Sequence, residues 1–405
     1  MAIGVGGSTM DAELARMESM RGGVEPISVA ERRARIEKAR ELMREQGIAA
    51  LYLDATTSLT YFTGLKFYQS ERTLGAVIPA EGEMFYLCPA FEVEKLREGM
   101  TIDAPVHGWE EHESPFDLLV EQIHKAVGTK GRLAVDEQAP FFLFDGLRKA
   151  GLALDCVNGA AIAGACRARK SAAEIALMQR AKDITLEVQK AAARILHPGI
   201  KTTEVVQFID KAHRAMGADN GSIFCIVLFG EPTAYPHGVS YPQELEHGDM
   251  VLIDTGCRVE GYNSDITRSY VFGEANEKQR EIWALEKAAQ AAGFEAARLG
   301  DACENVDKAA RDVIVAAGLG PDYKVPGLPH RTGHGIGMDV HEGPYLVRGD
   351  KTALAPGMCF SNEPMICLYG EFGVRLEDHF YMTEDGPRWF TQPSHSIDDP
   401  FGLEA

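Results

Sequence analysis

Two segments of the chain place acidic residues inside stretches that are otherwise apolar. Asp254 follows the apolar run 251–253, and a short polar segment separates it from Asp265. A carboxylate in a buried strand is costly unless it is paired or binds a metal ion. With a turn at residues 258–261, a hairpin would place Asp254 opposite Asp265, with Cβ atoms about 5 Å apart. Two such acids repel each other unless a cation lies between them, although two aspartates in ordinary hairpin loops would show the same pattern.

A second segment repeats this arrangement. Glu363 and Glu377 are symmetric about Gly370, so a hairpin with its turn at residues 369–371 would place the two glutamates opposite each other. Either glutamate could instead form an ordinary salt bridge, since Arg375 is nearby in the sequence. Two apolar hairpins that each carry a pair of acids favour a metal site over separate ion pairs.

Histidines cluster between these two hairpins. Of the 12 histidines in the chain, His330, His334 and His341 fall within one short segment, and its glycines allow the backbone to approach a ligand closely. A single histidine usually has a structural role, but this cluster favours function. The Gly-x-Gly-x-Gly run is not a phosphate loop, because no strand and helix frame it and no GxxxxGK[ST] motif is present. The absence of HExxH and GxSxG argues against a zincin or an α/β-hydrolase.

Together these segments supply four carboxylates and one imidazole, from Asp254, Asp265, His334, Glu363 and Glu377. Four negative charges balance two divalent cations. A ligand set made mostly of oxygen atoms suits manganese, cobalt, iron or zinc. Two such ions about 3.5–4 Å apart are a known arrangement for activating water. The sequence therefore predicts a site for two divalent metal ions, with Mn²⁺ as the first choice.

The composition excludes several other classes of protein. The chain has 405 residues, 45% of them hydrophobic and 25% charged, close to the average of globular proteins. Its formal net charge of −19 would repel phosphate backbones and anionic lipids, so we expect neither nucleic acid nor membrane as a partner. Eight dispersed cysteines suggest small buried side chains rather than a disulfide framework. The first residues do not resemble a signal peptide, so we expect a cytoplasmic protein, or a periplasmic one if a leader has been removed.

The pattern of helices and strands changes near residue 170. A capping box at residues 28–31 opens a first helix, and helical and strand patterns then alternate to about residue 160. A second capping box at residues 171–174 opens a long helix. These patterns predict a mixed α/β (α+β) protein with domains at 25–165 and 166–405.

The order Asp, Asp, His, Glu, Glu, with GHGIG and His-Glu before the last two acids, resembles the signature of the pita-bread metallopeptidases. This family includes methionine aminopeptidase, aminopeptidase P and Xaa-Pro dipeptidase (prolidase). The resemblance covers roughly residues 165–405. The preceding 150 residues resemble the N-terminal domain of the creatinase, aminopeptidase P and prolidase branch, with a weak local match at residues 61–64. Methionine aminopeptidase lacks this domain and creatinase lacks the metal ligands, so neither fits the whole chain.

The resemblance implies a role for each metal ligand. Asp254 would bind one metal ion, and His334 and Glu363 would bind the other. Asp265 and Glu377 would bridge the two ions.

The resemblance also implies catalytic and substrate-binding residues. A hydroxide that bridges the metal ions would attack the scissile carbonyl, and Glu363 would shuttle its proton. His341, with His237, would stabilise the oxyanion. The substrate-binding residues would be His237, His330, His341, Tyr345, Arg348 and Arg375.

Tyr345 departs from the pattern of several prolidases, which carry at this position an arginine that holds the carboxylate of the dipeptide. A neutral hydroxyl cannot replace that charge. The remaining candidates are Arg375, Arg348 and, from the N-terminal domain of a second subunit, Lys66 and Arg72.

We therefore expect a homodimeric enzyme that hydrolyses Xaa-Pro dipeptides. An aminopeptidase P that acts on longer Xaa-Pro peptides is one alternative, and a metal-dependent lyase or amidohydrolase on the same scaffold is another. A binding module without activity would normally have lost metal ligands, and this chain keeps all five.

Overall fold

The chain forms two compact units, and the computed structural model describes residues 2–404. The small unit is Ile27–Arg167, and the large unit joins the chain up to Pro26 with the chain from Ala168 onward. The early segment carries a short helix, α1 (Met10–Ala15), whose Glu13 forms an ion pair of 2.7 Å with Arg194. This segment precedes the small unit in sequence but packs on the large one.

The small unit is built on one mixed sheet of six strands. Its elements are α2 (Val29–Gln46), β1 (Ala50–Asp54), α3 (Thr57–Thr63), β2 (Gly75–Pro79), β3 (Phe85–Pro89), α4 (Val93–Gly99), β4 (Val106–Trp109), α5 (Pro115–Val127), β5 (Arg132–Val135), α6 (Phe141–Lys149), β6 (Asp155–Asn158) and α7 (Ala163–Ala168). The strands lie in the order β4-β3-β2-β1-β5-β6. The predicted first helix is confirmed as α2, because the Ser28 side chain accepts a hydrogen bond from the Glu31 amide and caps it.

Within residues 2–404, the large unit contains four long helices and eleven strands in addition to α1. Its elements are α8 (Ala172–Arg194), α9 (Thr202–Ala215), β7 (Ser222–Phe229), β8 (Met250–Val259), β9 (Tyr262–Asn263), β10 (Ile266–Val271), α10 (Glu277–Ala296), α11 (Glu304–Ala316), β11 (Gly333–Gly335), β12 (Glu342–Leu346), β13 (Cys359–Asn362), β14 (Met365–Leu368), β15 (Phe372–Arg375), β16 (Asp378–Thr383) and β17 (Gly386–Trp389). The capping box that opens α8 is confirmed at Ser171 and Glu174.

Two antiparallel sheets carry the acid-bearing segments of the large unit. One has the order β10-β8-β7, and the other has the order β12-β11-β13-β16-β17, with β14 and β15 as a separate ribbon. The helices α8 and α9 pack against β8 and β7, and α10 packs against α11. No helix within residues 2–404 is both long and apolar enough to cross a membrane.

The register of the first acid-bearing hairpin differs from the prediction. Asp254 pairs with Thr267 rather than with Asp265, which lies just before β10. The turn is one residue further along than expected, because Glu260 and Gly261 both adopt positive φ, 50° and 84°. Such a pair forms the two-residue turn whose twist matches a hairpin. The shift moves the partner of Asp254 by two residues, so Asp265 is its diagonal neighbour.

The register of the second acid-bearing hairpin agrees with the prediction. Met365 pairs with Arg375 in the β14–β15 ribbon, and Asn362 pairs with Asp378 in the β13–β16 ladder. Both pairings are symmetric about Gly370. Glu363 and Glu377 therefore lie opposite each other, at the break between the two ladders.

Behind this hairpin lies a fully buried ion pair. Arg268 donates to Asp378 at 2.8 Å, and neither side chain is more than 1% exposed. Thr391 and Gln290 also donate to the same carboxylate. The charges of the pair therefore depend on each other, since neither can reach water.

We expect Asp378→Asn to lower the free energy of unfolding by about 3–5 kcal/mol, because it leaves a buried guanidinium without its counter-charge. Urea denaturation of chelator-treated protein measures this without a contribution from metal. The control is Glu371→Gln, which removes a half-exposed partner of Lys278 and should have a much smaller effect. Equal losses in the two variants would contradict the prediction.

Candidate metal centre

The five predicted metal ligands come from strands that are far apart in the sequence. Asp254 lies in β8 and Asp265 just before β10, while His334 lies in β11. Glu363 follows β13, and Glu377 lies between β15 and β16. All except the half-buried Glu363 are buried. The two sheets thus bring one acid pair, the histidine and the other acid pair to one place.

The distances between ligand atoms are those of a compact centre. The Nε2 atom of His334 lies 3.2 Å from a carboxylate oxygen of Glu363 and 3.9 Å from one of Asp265. Three groups of side chains each bring their ligand atoms within 4.8 Å of one another. These groups are Asp265 with His334 and His341, Asp265 with Glu377 and His379, and His334 with Glu363 and Glu377.

Neighbouring groups orient the ligands. The Ser361 hydroxyl donates to one oxygen of Glu377 at 2.6 Å, and the Thr267 hydroxyl donates to the other at 2.8 Å. The Nδ1 atom of His334 lies 3.0 Å from the carbonyl oxygen of Gly335. A hydrogen bond from Nδ1–H to that carbonyl leaves the Nε2 lone pair facing the carboxylates, as in metal-binding histidines.

The backbone around His334 is packed too closely for any side chain larger than glycine at one neighbouring position. A Cβ atom on Gly333 would lie 2.0 Å from the carbonyl oxygen of Ser361. This contact explains the glycine before the ligand histidine, because it lets β11 lie directly against β13.

The electrostatics of the centre reflect four crowded carboxylates. Burial, together with Glu377 and Asp254, raises the pKa of Asp265 well above its usual range. Burial also raises the pKa of Asp254 to about 6, although the Arg375 guanidinium opposes this shift. Arg375 donates to Asp254 and, at 3.1 Å, to Thr267. One arginine cannot balance four carboxylates, so the cluster needs more positive charge.

The centre fits divalent cations for a second reason. One oxygen of Asp254 and one of Asp265 are buried without a hydrogen-bond partner among the described residues. A buried oxygen without a partner is costly, and a metal ion would satisfy both. The oxygen-rich ligand set with one imidazole suits manganese, iron, cobalt or zinc.

The centre opens into a cavity of about 960 Å³. Four of the predicted substrate-binding residues, His237, His330, His341 and Arg375, line the cavity together with Asp254, Asp265 and Glu363. Ile223, Phe224 and Ile226 supply an apolar wall. The ring centroids of His341 and His334 are 4.1 Å apart and the rings are tilted by 51°, so His341 lies in contact with the ligand histidine. His341 is exposed toward the cavity, but partial desolvation of its ring and the nearby His334 lower its pKa to about 4.

A buried ion pair holds the chain that follows His341. The Nζ atom of Lys170 lies 2.6 Å from a carboxylate oxygen of Glu342, and less than 10% of either side chain is exposed. This contact anchors the start of β12 beside the cavity.

The structure shows which of the candidate arginines lie at the cavity, which the sequence could not predict. Neither Tyr345 nor Arg348 is among the described residues that line the cavity. The guanidinium of Arg348 is exposed and pairs with Asp322 at 2.7 Å. Arg331, which the sequence did not indicate, does line the cavity, and its guanidinium lies 4.3 Å from the ring centroid of Tyr345. Its position between two candidate histidines was the available signal.

The two remaining cations, Lys66 and Arg72, belong to the small unit. Lys66 is exposed. Arg72 forms an ion pair of 2.9 Å with Glu111.

Comparisons with known proteins agree with this architecture. Residues 176–384 match the model of metallopeptidase family M24, and residues 35–168 match the creatinase/prolidase N-terminal domain. The chain therefore belongs to metallopeptidase family M24, in the branch that carries the creatinase/prolidase N-terminal domain. This membership makes the protein a metal-dependent peptide hydrolase, and it confirms the predicted α/β fold with a pita-bread domain.

Similar proteins share nearly the whole chain. An Xaa-Pro dipeptidase of Lactobacillus delbrueckii is 31% identical to this chain. The alignment covers 89% of this chain and 98% of the relative. The crystal structure of the dipeptidase PepE from Mycobacterium ulcerans superposes with a TM-score of 0.84 at 31% sequence identity. The superposition covers 92% of this chain and 98% of the PepE chain. A dipeptidase structure from Pyrococcus horikoshii has a TM-score of 0.81 at 31% identity, with coverage of 89% and 99%.

Proposed function

We propose that this protein hydrolyses Xaa-Pro dipeptides with two divalent metal ions. Asp254, Asp265, His334, Glu363 and Glu377 would hold the ions. The observation that carries the proposal is that these side chains cluster beside one cavity, which His237 and His341 also line. Similarity to an Xaa-Pro dipeptidase over nearly the whole chain supports the substrate class.

The chemistry follows from the groups around the cavity. When bound, the metal ions would polarise the scissile carbonyl and lower the pKa of water. The Glu363 carboxylate would accept a proton from the attacking water and pass it to the leaving nitrogen. His341 and His237 would donate hydrogen bonds to the carbonyl oxygen as its negative charge develops. The bond before proline has no N–H, so this arrangement needs no group that recognises one.

A panel of substrates tests the proposal. We expect metal-loaded protein to cleave Xaa-Pro dipeptides faster than Xaa-Pro-Xaa tripeptides, and to leave dipeptides without proline largely intact. Faster cleavage of the tripeptides would favour an aminopeptidase P. Turnover of other small acids without any dipeptide cleavage would favour a lyase or amidohydrolase.

The metal and the assembly are part of the same proposal. We propose Mn²⁺ as the working ion and a homodimer as the assembly, as the family resemblance implies. Elemental analysis with reconstitution by Mn²⁺, Zn²⁺, Co²⁺ or Fe²⁺ tests the first, and light scattering during gel filtration tests the second.

Arg331 is the cation that we expect to bind the substrate carboxylate. It lines the cavity, and its guanidinium lies over the Tyr345 ring. The guanidinium of Arg375 is occupied by Asp254. Charge-assisted hydrogen bonds are about twice as strong as neutral ones. We therefore expect Arg331→Ala to raise KM for Xaa-Pro more than about tenfold and to change the rate on an Xaa-Pro amide much less.

Arg348→Ala is the matched control, since Arg348 is an exposed arginine outside the cavity that pairs with Asp322. Steady-state kinetics on the acid and the amide would compare the two variants. An unchanged ratio of acid to amide activity in Arg331→Ala would rule out this role.

A further inference from the structure

His379 is a buried histidine of the metal centre that the five-ligand signature does not include. Its side chain is 0% exposed, and neither ring nitrogen has a hydrogen-bond partner among the described residues. A buried polar atom without a partner costs about 1–3 kcal/mol. Two such atoms on one ring indicate that the imidazole meets a partner other than the protein.

The strand direction explains why His379 faces the centre. Successive side chains of a strand point to opposite faces. The side chains of residues 377 and 379 therefore point to one face, and that of residue 378 points to the opposite face. Asp378 pairs with Arg268 behind the hairpin. Glu377 and His379 therefore both project toward the centre, and their ligand atoms group with those of Asp265 within 4.8 Å.

The separation of the atoms fits two ligands of one ion better than a hydrogen bond. Nε2 of His379 lies 3.6 Å from the nearer oxygen of Glu377, beyond the 2.7–3.2 Å of a hydrogen bond. Two atoms that each lie about 2.1 Å from the same ion are about 3.0–3.5 Å apart. Nε2 of His334 and the oxygen of Glu363 are 3.2 Å apart, so the His379 pair resembles a pair of proposed ligands.

The nearer oxygen of Glu377 does not need a hydrogen bond from His379. It already accepts one from the Ser361 hydroxyl at 2.6 Å, and the other oxygen accepts one from Thr267 at 2.8 Å. The imidazole is therefore free to offer its Nε2 lone pair to a cation beside Glu377.

We propose that His379 is a sixth protein ligand. Its Nε2 atom would bind one of the two metal ions that Asp265 and Glu377 would bridge. This inference rests on the proposed two-metal site. The centre would then contain two imidazole nitrogens, from His334 and His379, instead of one. An added nitrogen ligand favours later transition metals over Mg²⁺.

Counting the histidine nitrogens at the metal tests this proposal. Protein freed of metal and reloaded with Mn²⁺ alone would be measured by pulsed EPR, which detects imidazole nitrogen bound to the ion. We expect nitrogen signals from two histidines in the unmodified protein and from one in His379→Gln. We also expect a rise of at least tenfold in the Kd of one Mn²⁺, measured by competition with a chromophoric chelator.

Two further variants make the result unambiguous. His334→Ala should also remove one nitrogen, whereas His213→Asn should remove none, because the ring of this buried histidine bonds Thr185 and Ser222. If His379→Gln does not fold, the unmodified protein and His341→Ala decide together: two nitrogens in both support His379 as the second imidazole ligand, and one nitrogen in either overturns it. A loss of nitrogen in His334→Ala but not in His379→Gln overturns the sixth ligand and retains the two-metal site. Weaker Mn²⁺ binding with an unchanged nitrogen count would also overturn it, leaving His379 as a positioning residue for Glu377. If neither His334→Ala nor His379→Gln loses a nitrogen signal, the proposed two-metal site is overturned as well.

Discussion

Asp265→Asn is expected to lose bound metal and hydrolytic activity together. Asp265 contributes to two of the three groups of candidate ligand atoms, with His334 and with Glu377. An amide carries no charge and cannot bridge two ions as a carboxylate does. Removal of a residue that only supports a metal ligand already lowers metal affinity or activity about 10–100-fold. We therefore expect a loss of activity greater than about 100-fold, with metal content measured by elemental analysis.

Asp136→Asn is the matched control for this variant. Asp136 is also buried, and burial raises its pKa, but it lies in the small unit and accepts a hydrogen bond from Thr56. It should retain full metal content. Full activity after exhaustive chelation, with metal loss confirmed, would contradict a metal-dependent reaction and the role given to Asp265.

His341→Ala is expected to lower kcat by about 10²-fold while the metal content stays unchanged. The imidazole lines the cavity above His334 and can donate to the carbonyl oxygen of a bound peptide. Removal of one such donor typically costs 10²–10³-fold in kcat. Because the donor acts mainly in the transition state, KM should change less than kcat.

Metal content decides the competing role for this residue. Ligand atoms of His341, Asp265 and His334 lie within 4.8 Å of one another, so His341 is also close enough to bind an ion. If His341→Ala lost metal in proportion to activity, His341 would be a metal ligand rather than a hydrogen-bond donor to the substrate. His247→Ala serves as the control, since this exposed histidine stacks on Phe272 outside the lining of the cavity.

The sequence predicted those parts of the centre that depend on local rules. A carboxylate in an apolar strand needs a counter-charge, and this rule selected Asp254 without knowledge of the fold. Symmetry about Gly370 was sufficient to predict the register of Glu363 and Glu377, which the pairings on both sides confirm. The register at Asp254 was predicted wrongly, because a glutamate at φ 50° moved the turn. Glutamate has no strong preference for that conformation, so no residue near the turn indicated the shift.

Long-range packing decided what the sequence could not predict. Arg331 and Arg348 are similar cations in one segment, and only the folded chain places one in the cavity and the other in solvent. His379 looks like an ordinary core histidine of a strand. Its significance depends on Asp265, which is more than one hundred positions away in the sequence and meets it only through the packing of two sheets.

The wide spacing of the ligands along the chain has a consequence for folding. Asp254 and Glu377 lie 123 positions apart, from 254 to 377, so no short fragment of the chain contains the complete centre. The unfolded chain therefore offers little affinity for the ions, and binding favours the native state alone. At a free metal concentration one hundred times Kd, each occupied site adds about 2.7 kcal/mol to the free energy of unfolding. The supply of metal would thus change the free energy of unfolding of the enzyme as well as its activity.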